Sequence, residues 1–523
     1  MKKKVFALVA LLILDAVVVY LTLPTVSIHN IGIWLMVLLN VVAVACILSL
    51  ADWKAPVNKK TEKISAIICA VLAVGMLVGA IASSRMLNSR RYTELLDIRM
   101  ADNSALPTVE DIKKIPLMDT ESSKVLGDRK IGSLNEIVSQ FEVSSDYMTI
   151  SYKNAPVKVS ALKYAGFWKW NANKNTGIPG YVSVDPNGLT AEYIELKKGM
   201  IYVPSAYLGQ DLARHIYFKH PTVFFDNLHF EIDEQGNPFY VASTYEYTIR
   251  LFGGKKVTGA VVVDPVSGDV QLYKNGQLPQ WVDIVYNGNY VAKYFDIYGR
   301  LINGFWNSLF GQKGLIESTT TTIIGSDGET TRDHDFGYIV KDNDVYIYTG
   351  VTAVTNDESN IGYLMANERT GEVLVSYFEA TDEDSVMRAA EGEVQEKGYR
   401  ASFPSLININ GSPAYVMVLK DNLGLVKMYA IVDAAQYSHM VVEDTLEKAL
   451  GSYSKGAVVT GLTEKTVTVR KIELVTIDGD TLVYLVDADN NIYYSEFDSR
   501  ALLVEAGDQL TILTDGTVFR FQN

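Results

Sequence analysis

Three apolar runs, Val5–Leu23, Ile31–Leu50 and Ile64–Ser83, fall within residues 1–86 of a 523-residue chain, and no comparable run follows. Each is about 19 to 20 residues long, close to the roughly 20 needed to cross a ~30 Å hydrocarbon core at 1.5 Å per residue. A chain of this kind places a small helical anchor in lipid and a much larger body in water. The first run is longer than the ~7 to 15-residue core of a signal peptide, and Thr22-Leu23-Pro24-Thr25 after it is no small-residue cleavage site.

The lysines give the expected orientation. Lys2, Lys3 and Lys4 precede the first run, and Lys54, Lys59, Lys60 and Lys63 lie between the second and third. The Thr25–Asn30 connection has no Lys or Arg. Positive residues collect on the cytoplasmic side, so the N-terminus is expected inside and everything after Ser84 outside. Arg85, Arg90 and Arg91 oppose this as three cations against seven.

Charge and cysteine usage bear on the body. After residue 91 the chain carries 37 basic and 58 acidic residues, a net charge of −21. Such a surface repels nucleic acid and anionic headgroups and attracts cations and basic partners. Both cysteines, Cys46 and Cys69, fall in the apolar runs, so the body has no thiol and no disulfide framework. At over 400 residues it can bury a sufficient core without one.

Along the body, Arg85–Arg99 reads as a helical continuation, and Ala101–Pro107 as the break that makes this segment a stalk. Between Pro107 and Phe141 the pattern is helical, with Leu134, Ile137, Val138 and Phe141 at i, i+3, i+4, i+7 and Ser133 as a cap. Beyond them, alternating runs such as Met148–Tyr152, Tyr181–Val184, Tyr245–Leu251, Val345–Tyr348, Tyr415–Leu419 and Val467–Val475 read as strands ending at Gly, Asn or Asp. The 31 tyrosines fit half-buried sheet positions with a wet hydroxyl.

Repetition is the main internal signal. GNPFYV (Gly236–Val241) recurs as GSPAYV (Gly411–Val416). AVVVDPVSGDVQLY, with Val263-Asp264-Pro265, pairs with YAIVDAAQYSHMVV, with Val432-Asp433. A helix candidate precedes each copy, Leu208–Lys219 and Ser385–Lys397. Related turns occur in VDPNGLTAEY (Val184–Tyr193) and NERTGEVLVSY (Asn367–Tyr377), where Asp or Asn and then Gly supply the positive φ of a tight hairpin. The body therefore reads as a chain of small α+β units.

The order of helix, strand, glycine turn, strand, turn and strand ending in Asp resembles the PepSY domain of bacterial exported proteins, over Gln210–Lys274 and Ser385–Val442. In the second copy Ala434-Ala435-Gln436-Tyr437 replaces the glycine turn. From Gly456, short runs at Ala457–Gly461, Thr466–Thr476, Thr481–Asp487, Ile492–Phe497, Gln509–Leu513 and Thr517–Phe521 suggest a small β-barrel of the OB or SH3-like kind. The stretch GDQLTIL resembles the closing strands of the OB-like domain of some bacterial membrane proteins. FWKWNANKNTGIPGYVSVD (Phe167–Asp185), YTGVTAVTNDESNIGY (Tyr348–Tyr363) and LKDNLGLVKMYA (Leu419–Ala430) resemble a family of polytopic Gram-positive envelope proteins. That resemblance implies a location and no particular activity.

The expected fold is α+β: an anchor over residues 1–86, a stalk and first α+β region over 87–207, and a PepSY-like unit over 208–304. A β-rich connection over 305–384, a second PepSY-like unit over 385–454 and a small barrel over 455–523 complete it.

Candidate chemistry is sparse. His229, Glu231 and Asp233 alternate along a strand and could start a metal site, against the simpler reading of a wet strand face leading into a polar turn. His215 and His220 are five apart, roughly 140° around a helix, too divergent to share a metal. His334, flanked by Asp333 and Asp335, could work as an acid or base, against the simpler reading of a solvated loop after a Thr319–Thr322 strand. Asp15 sits inside the first apolar run at a cost of about 2.5 to 3.5 kcal/mol, and Asn40 is its natural partner. Gly75 and Gly79 form a GxxxG that lets two backbones approach. No P-loop, G-x-S-x-G, H-E-x-x-H or dinucleotide fingerprint occurs, and no cofactor is called for. The expectation is a non-enzymatic, membrane-anchored extracytoplasmic protein that binds or scaffolds an envelope protein or peptide, without nucleic acid. A metal-dependent envelope hydrolase and an accessory transporter subunit are the alternatives.

Overall fold

The computed structural model describes residues 2–49, 59–101, 106–324, 330–354, 356–456, 463–477, 480–496, 498–514 and 519–521. The apolar runs form three helices, α1 (Lys2–Thr22), α2 (Ile31–Ser49) and α3 (Lys59–Ala82). All three are long and apolar enough to cross a membrane, with mean hydropathies of 2.6 to 2.7. Their side chains face outward: Leu12, Leu39 and Ile67 are 68%, 65% and 62% exposed. Lipid is the solvent that makes such exposure favourable.

The segment expected to be a stalk is woven into the body instead. Helix α4 (Arg85–Thr93) kinks at Asn88, whose amide donates to the Ala82 and Ser84 carbonyls. The chain then folds back, and the Tyr92 hydroxyl donates to the Ser83 carbonyl at 2.7 Å. Leu95 and Leu96 are buried, and Asp97–Met100 pairs in parallel with the strand Glu372–Thr381. Apolar Leu95, Leu96 and Ile98 are the physical reason, since a free stalk would leave them in water.

Beyond this segment the same motif occurs four times: a helix followed by an antiparallel meander whose strands lie side by side in chain order. The first unit has helix Thr120–Gly132 and strands Phe141–Val143 with Met148–Tyr152, Ala155–Tyr164, Ile178–Asp185 and Thr190–Met200. Its helix lies within the helical stretch expected between Pro107 and Phe141, but ahead of Leu134, Ile137 and Phe141, where only Asn135–Val138 is helical. The second has helix Leu212–Lys219 and strands Phe224–Ile232, Pro238–Ile249, Gly253–Val263 and Val270–Lys274. The third has helix Gly288–Leu301 and strands Ile316–Ser318 with Gly337–Lys341, Asp344–Ala353, Asn356–Asn367 and Glu372–Thr381. The fourth has helix Glu383–Glu393 and strands Arg400–Ala401 with Ser405–Ile409, Ser412–Lys420, Val426–Asp433 and Met440–Glu443.

The turns explain the repeat. Between third and fourth strands, an Asp or Asn side chain caps the turn: Asp185, Asp264, Asn367 and Asp433 each accept backbone N–H groups two and three residues on, at 2.8 to 3.3 Å. This Asx geometry offers the backbone a ready-made reversal. Between first and second strands, Gly236 (φ +81°) and Gly411 (φ +88°) serve the second and fourth units, while Lys153-Asn154 and Asp342-Asn343 take positive φ in the first and third. The third unit occupies the region expected as a connection. Its first strand is interrupted by an inserted hairpin, Thr320–Ile324 with Thr330–His334, and its helix lies in the tail of the expected 208–304 unit.

Consecutive units share cores. Tyr181, Val159 and Met200 of the first unit pack with Phe230, Tyr240, Val261 and Val263 of the second. Val241, Ala260 and Val262, alternating with these, pack with Phe295, Ile347, Leu364 and Val375 of the third. Tyr348, Tyr363 and Met365 join Val386, Tyr415 and Val416 of the fourth. Lys420 reaches back to Asp119 and Glu121 beside the first unit's helix, at 2.5 and 2.6 Å.

The last described region is a curled five-stranded sheet ordered Ile492–Glu496, Asp480–Asp487, Thr463–Ile477, Gln509–Thr514 and Phe519–Phe521, with its outer strands close together. Val467, Val483, Leu485, Tyr493 and Ile512 fill it. The expected strand Ala457–Gly461 lies outside the described residues.

Several tyrosines are not the half-buried residues expected of them. Tyr181 and Tyr415 are 2% exposed and donate to the Gly236 and Thr381 carbonyls, each at 2.9 Å. Removing the Tyr181 hydroxyl deprives the Gly236 carbonyl of its buried donor across the first two units. Tyr181→Phe should therefore lower the unfolding free energy of the full chain by about 1–3 kcal/mol. Tyr437→Phe, at a position 55% exposed, should change it by less than ~0.5 kcal/mol. Thermal unfolding in detergent checks both.

Candidate functional site

His229 and Glu231 point to one side of the strand Phe224–Ile232, but that side is not wet. His229, Glu231 and Asp233 are 4%, 0% and 8% exposed. Glu231 Oε1 accepts from His229 Nε2 at 2.7 Å and from the Ile284 backbone N–H at 3.0 Å, and Oε2 accepts from the Asp283 N–H at 2.8 Å. The other ring nitrogen of His229 faces the Asn227 carbonyl at 2.6 Å. Asp233 turns away and caps the following hairpin, accepting from the Gln235 and Asn237 N–H groups and the Asn237 amide. The three do not converge, and among the described residues no group of three His, Cys, Asp or Glu is placed to hold a metal.

Glu231 belongs to a knot of buried charge where three units meet. Asp283 accepts from the Ser151 N–H at 2.6 Å and from Arg369, which also pairs with Asp344 at 2.7 Å. Burial, and then the charge of Glu231, pushes the Asp283 carboxyl well above the usual range. Burial likewise pushes Glu368 up to about 8, with Glu231 adding to the rise. Glu368 Oε2 has no hydrogen-bond partner, which suits a neutral acid. Burial lowers Lys158 to about 8, and its ammonium donates to Thr149 and Thr120.

The side chains of His334 and His215 also have partners. His334 ends a strand of the inserted hairpin and lies 3.1 Å from Ser318 Oγ and 3.5 Å from Asp296. Ser318 donates to Asp296 at 2.8 Å. Each of the three thus contacts the other two, and the Ser318 hydroxyl donates to the acid and not to the histidine that would serve as base in a nucleophilic triad. His215 Nε2 contacts the Gly268 carbonyl at 2.7 Å, and His220 caps the end of its helix.

In the anchor, Asn40 Nδ2 donates to Asp15 Oδ1 at 3.0 Å and to the Met36 carbonyl at 3.0 Å. Gly75 lies against the Trp34 ring, where an added Cβ would be 3.2 Å from Cζ3. Gly79 faces the tip of the hairpin between Pro238–Ile249 and Gly253–Val263, where a Cβ would be 2.7 Å from Leu251 and 2.9 Å from Phe252. Ser83 Oγ donates to the Gly79 carbonyl at 2.6 Å and accepts from the Leu251 and Phe252 N–H groups at 3.2 and 3.0 Å. His29 Nδ1 meets the Leu251 carbonyl at 2.8 Å. The GxxxG face is thus filled by this chain's own residues.

Beside this junction lies a cleft of the body. A groove of about 950 Å³ is lined by Ser27 and His29 of the anchor loop, by Phe224, Tyr245 and Tyr247, and by Leu272 on the outer strand Val270–Lys274. A neighbouring pocket of about 250 Å³ is lined by Asp226, Asn227, Ser243, Lys255, Tyr290 and Tyr294. Asn227 Nδ2 and Ser243 Oγ are buried there without partners. Lys255 pairs with Asp226 and lies 4.0 Å above the Tyr245 ring. Burial raises the Tyr245, Tyr290 and Tyr294 phenols, keeping them neutral donors. Apolar rings edged by amide, hydroxyl and ammonium groups suit binding. The sequence marker of this cleft was YEYTIRLFGG, Tyr245–Gly254, visible only as an alternating strand.

No protein-family model matches the chain, and no curated protein matches it in sequence. Among solved structures it is similar, at 9% identity and a TM-score of 0.18, to an ancestral GH74 enzyme, over 69% of this chain and 42% of that one. A levansucrase of B. megaterium gives 9% identity and a TM-score of 0.16 over 82% of this chain and 91% of that one. The levansucrase of Bacillus subtilis gives 9% and 0.14 over 84% and 93%. TM-scores of this size do not define a shared fold.

Two outcomes follow from the geometry. Gly79→Leu should prevent the hairpin tip from seating and raise the rate of proteolysis near Leu251 in detergent several-fold, while Gly132→Leu, where a Cβ meets nothing within 4 Å, should not. For Glu368, a carboxyl held at about 8 when folded, against 4.5 as its ordinary value, binds its proton more tightly in the folded chain. Its stabilising contribution is complete below about pH 4.5 and is lost as pH rises towards 8. Glu368→Gln should therefore flatten the fall in Tm between pH 5 and pH 8, as measured in nanodiscs.

Proposed function

We propose that this chain is a membrane-anchored extracytoplasmic binding or scaffold protein of the bacterial cell envelope, with the N-terminus inside and the repeated units outside. The repeated helix-and-meander motif supports PepSY-like units, and the strand order of the last sheet, with third and fifth strands adjacent, supports an OB-like barrel. The lysine distribution supports the orientation.

One observation carries the binding role. The groove of about 950 Å³ combines aromatic rings with an open sheet edge, because Val270–Lys274 is the outermost strand of its sheet. An extended peptide can add to such an edge through main-chain hydrogen bonds while its alternate side chains enter the aromatic groove. The anchor loop supplies the floor, so the partner is met at the membrane surface. The hydrolase alternative finds no support in the engaged side chains of His229, Glu231 and Asp233, and the transporter alternative keeps only Asp15, which Asn40 already satisfies.

A photo-crosslinking residue at Leu272, 45% exposed, should capture a discrete envelope protein in native membranes, and the same residue at Leu503, 82% exposed, should not. Equal labelling at both sites, or capture of this chain alone, overturns the reading.

A further inference from the structure

The uncovered aromatic side chains of the first two units gather where α1 ends. Trp168 is 78% exposed, Leu208 60%, Phe218 58%, Phe167 42% and Tyr207 39%. The Phe167 and Tyr207 rings meet edge to face at 5.2 Å. Trp170 Nε1 donates to Gln210 Oε1 at 2.9 Å, fixing the short helix Phe167–Asn173 beside the loop that leads into helix Leu212–Lys219.

That helix is bound to the end of a span. Arg214 Nε donates to the Tyr20 carbonyl at 3.3 Å, and its guanidinium lies 4.2 Å above the Tyr20 ring. The Tyr217 hydroxyl donates to the Pro24 carbonyl at 3.1 Å, and the Val26 N–H to the Pro221 carbonyl at 2.8 Å. The Phe218 and Tyr20 rings are 6.2 Å apart. With α1 across a bilayer, these contacts hold the aromatic patch at the level where the span leaves the hydrocarbon. Local charge has the opposite sign to that of the body: residues 166–176 and 205–222 carry Lys169, Lys174, Arg214 and Lys219 against Asp211 alone.

We propose that Phe167, Trp168, Tyr207, Leu208 and Phe218 form a membrane-contact face whose occupant is the interfacial layer of the same bilayer that holds the anchor. Aromatic rings and leucine favour the boundary between headgroups and acyl chains, and the surrounding cations favour anionic headgroups. The net negative body is thereby held down on one basic, aromatic edge. This inference rests on α1 crossing the membrane and is independent of the peptide-binding role.

The test uses the full chain in nanodiscs. In a Cys46→Ala/Cys69→Ala background, Trp168→Cys carries an environment-sensitive fluorophore, and Tyr437→Cys, on the fourth unit's last turn, carries the same dye as a control. Lipids spin-labelled at the headgroup or shallow in the acyl chain should quench the dye at 168 several-fold more than the dye at 437, with a blue-shifted emission at 168. Adding Lys169→Glu and Lys174→Glu should reduce that quenching in discs containing anionic lipid. Equal quenching at the two sites overturns the proposal, as does a dye at 168 that stays unquenched in lipid and becomes shielded only when membrane proteins are added.

Discussion

A four-stranded sheet that is apolar on both faces cannot stand alone in water, and the second unit's sheet is of this kind. Tyr240, Val261 and Val263 face one core, and Val241, Ala260 and Val262, between them in sequence, face the next. At roughly 25 cal/mol per Å² of buried apolar surface, each such face stabilises the fold only if another layer covers it. The neighbours must therefore be the first and third units. The architecture follows from this requirement more than from any local helix or strand preference.

Stacking in turn buries the polar groups at the meeting points. A buried carboxylate without partners costs several kcal/mol, and Glu231 avoids that cost through two backbone N–H groups and a histidine. Those N–H groups belong to Asp283 and Ile284, in the connector between the second and third units, so satisfying the charge also fixes where the third unit begins. Arg369, from the third unit's Asx turn, completes the knot through Asp283 and Asp344. Residues that by type could serve a metal or a proton transfer are here joints between sheets.

Legibility in the sequence followed the period of the hydrophobic pattern. The anchor was plain, because about twenty apolar residues admit one solution in lipid. The turns were plain too: all four sequences with an Asp or Asn before a reversal occupy the same position in the four units. The units as wholes were only half visible, because the alternation of wet and dry residues fails when both faces are buried, and because the inserted hairpin at Thr320–His334 separates the third unit's helix from its main strands. The strand carrying His229 and Glu231 read as wet for the same reason, since spacing shows that two side chains share a face but not what that face meets. The cleft could not be read at all. It forms between the hairpin Pro238–Val263, the outer strand Val270–Lys274 and the anchor loop, which are distant in sequence.

The junction between body and anchor shows how one small side chain can set an orientation. Ser83 lies at the end of α3, where the Gly79 carbonyl already accepts from the Ser83 N–H and the incoming Leu251 and Phe252 N–H groups need acceptors. Its hydroxyl donates once and accepts twice, serving all three. Gly79, one turn earlier, leaves the space that the Leu251 and Phe252 side chains enter, and Gly75 makes room for Trp34 one turn before that. A GxxxG usually signals association of two spans, but here each glycine already receives a side chain of its own chain, so a second copy could dock on this face only by expelling the hairpin tip. The same reasoning applies to Asp15: its contact with Asn40 meets, within one chain, the need for a polar partner in lipid. What the anchor leaves open is the apolar groove of about 630 Å³ between α2 and α3, which acyl chains can fill without any polar match.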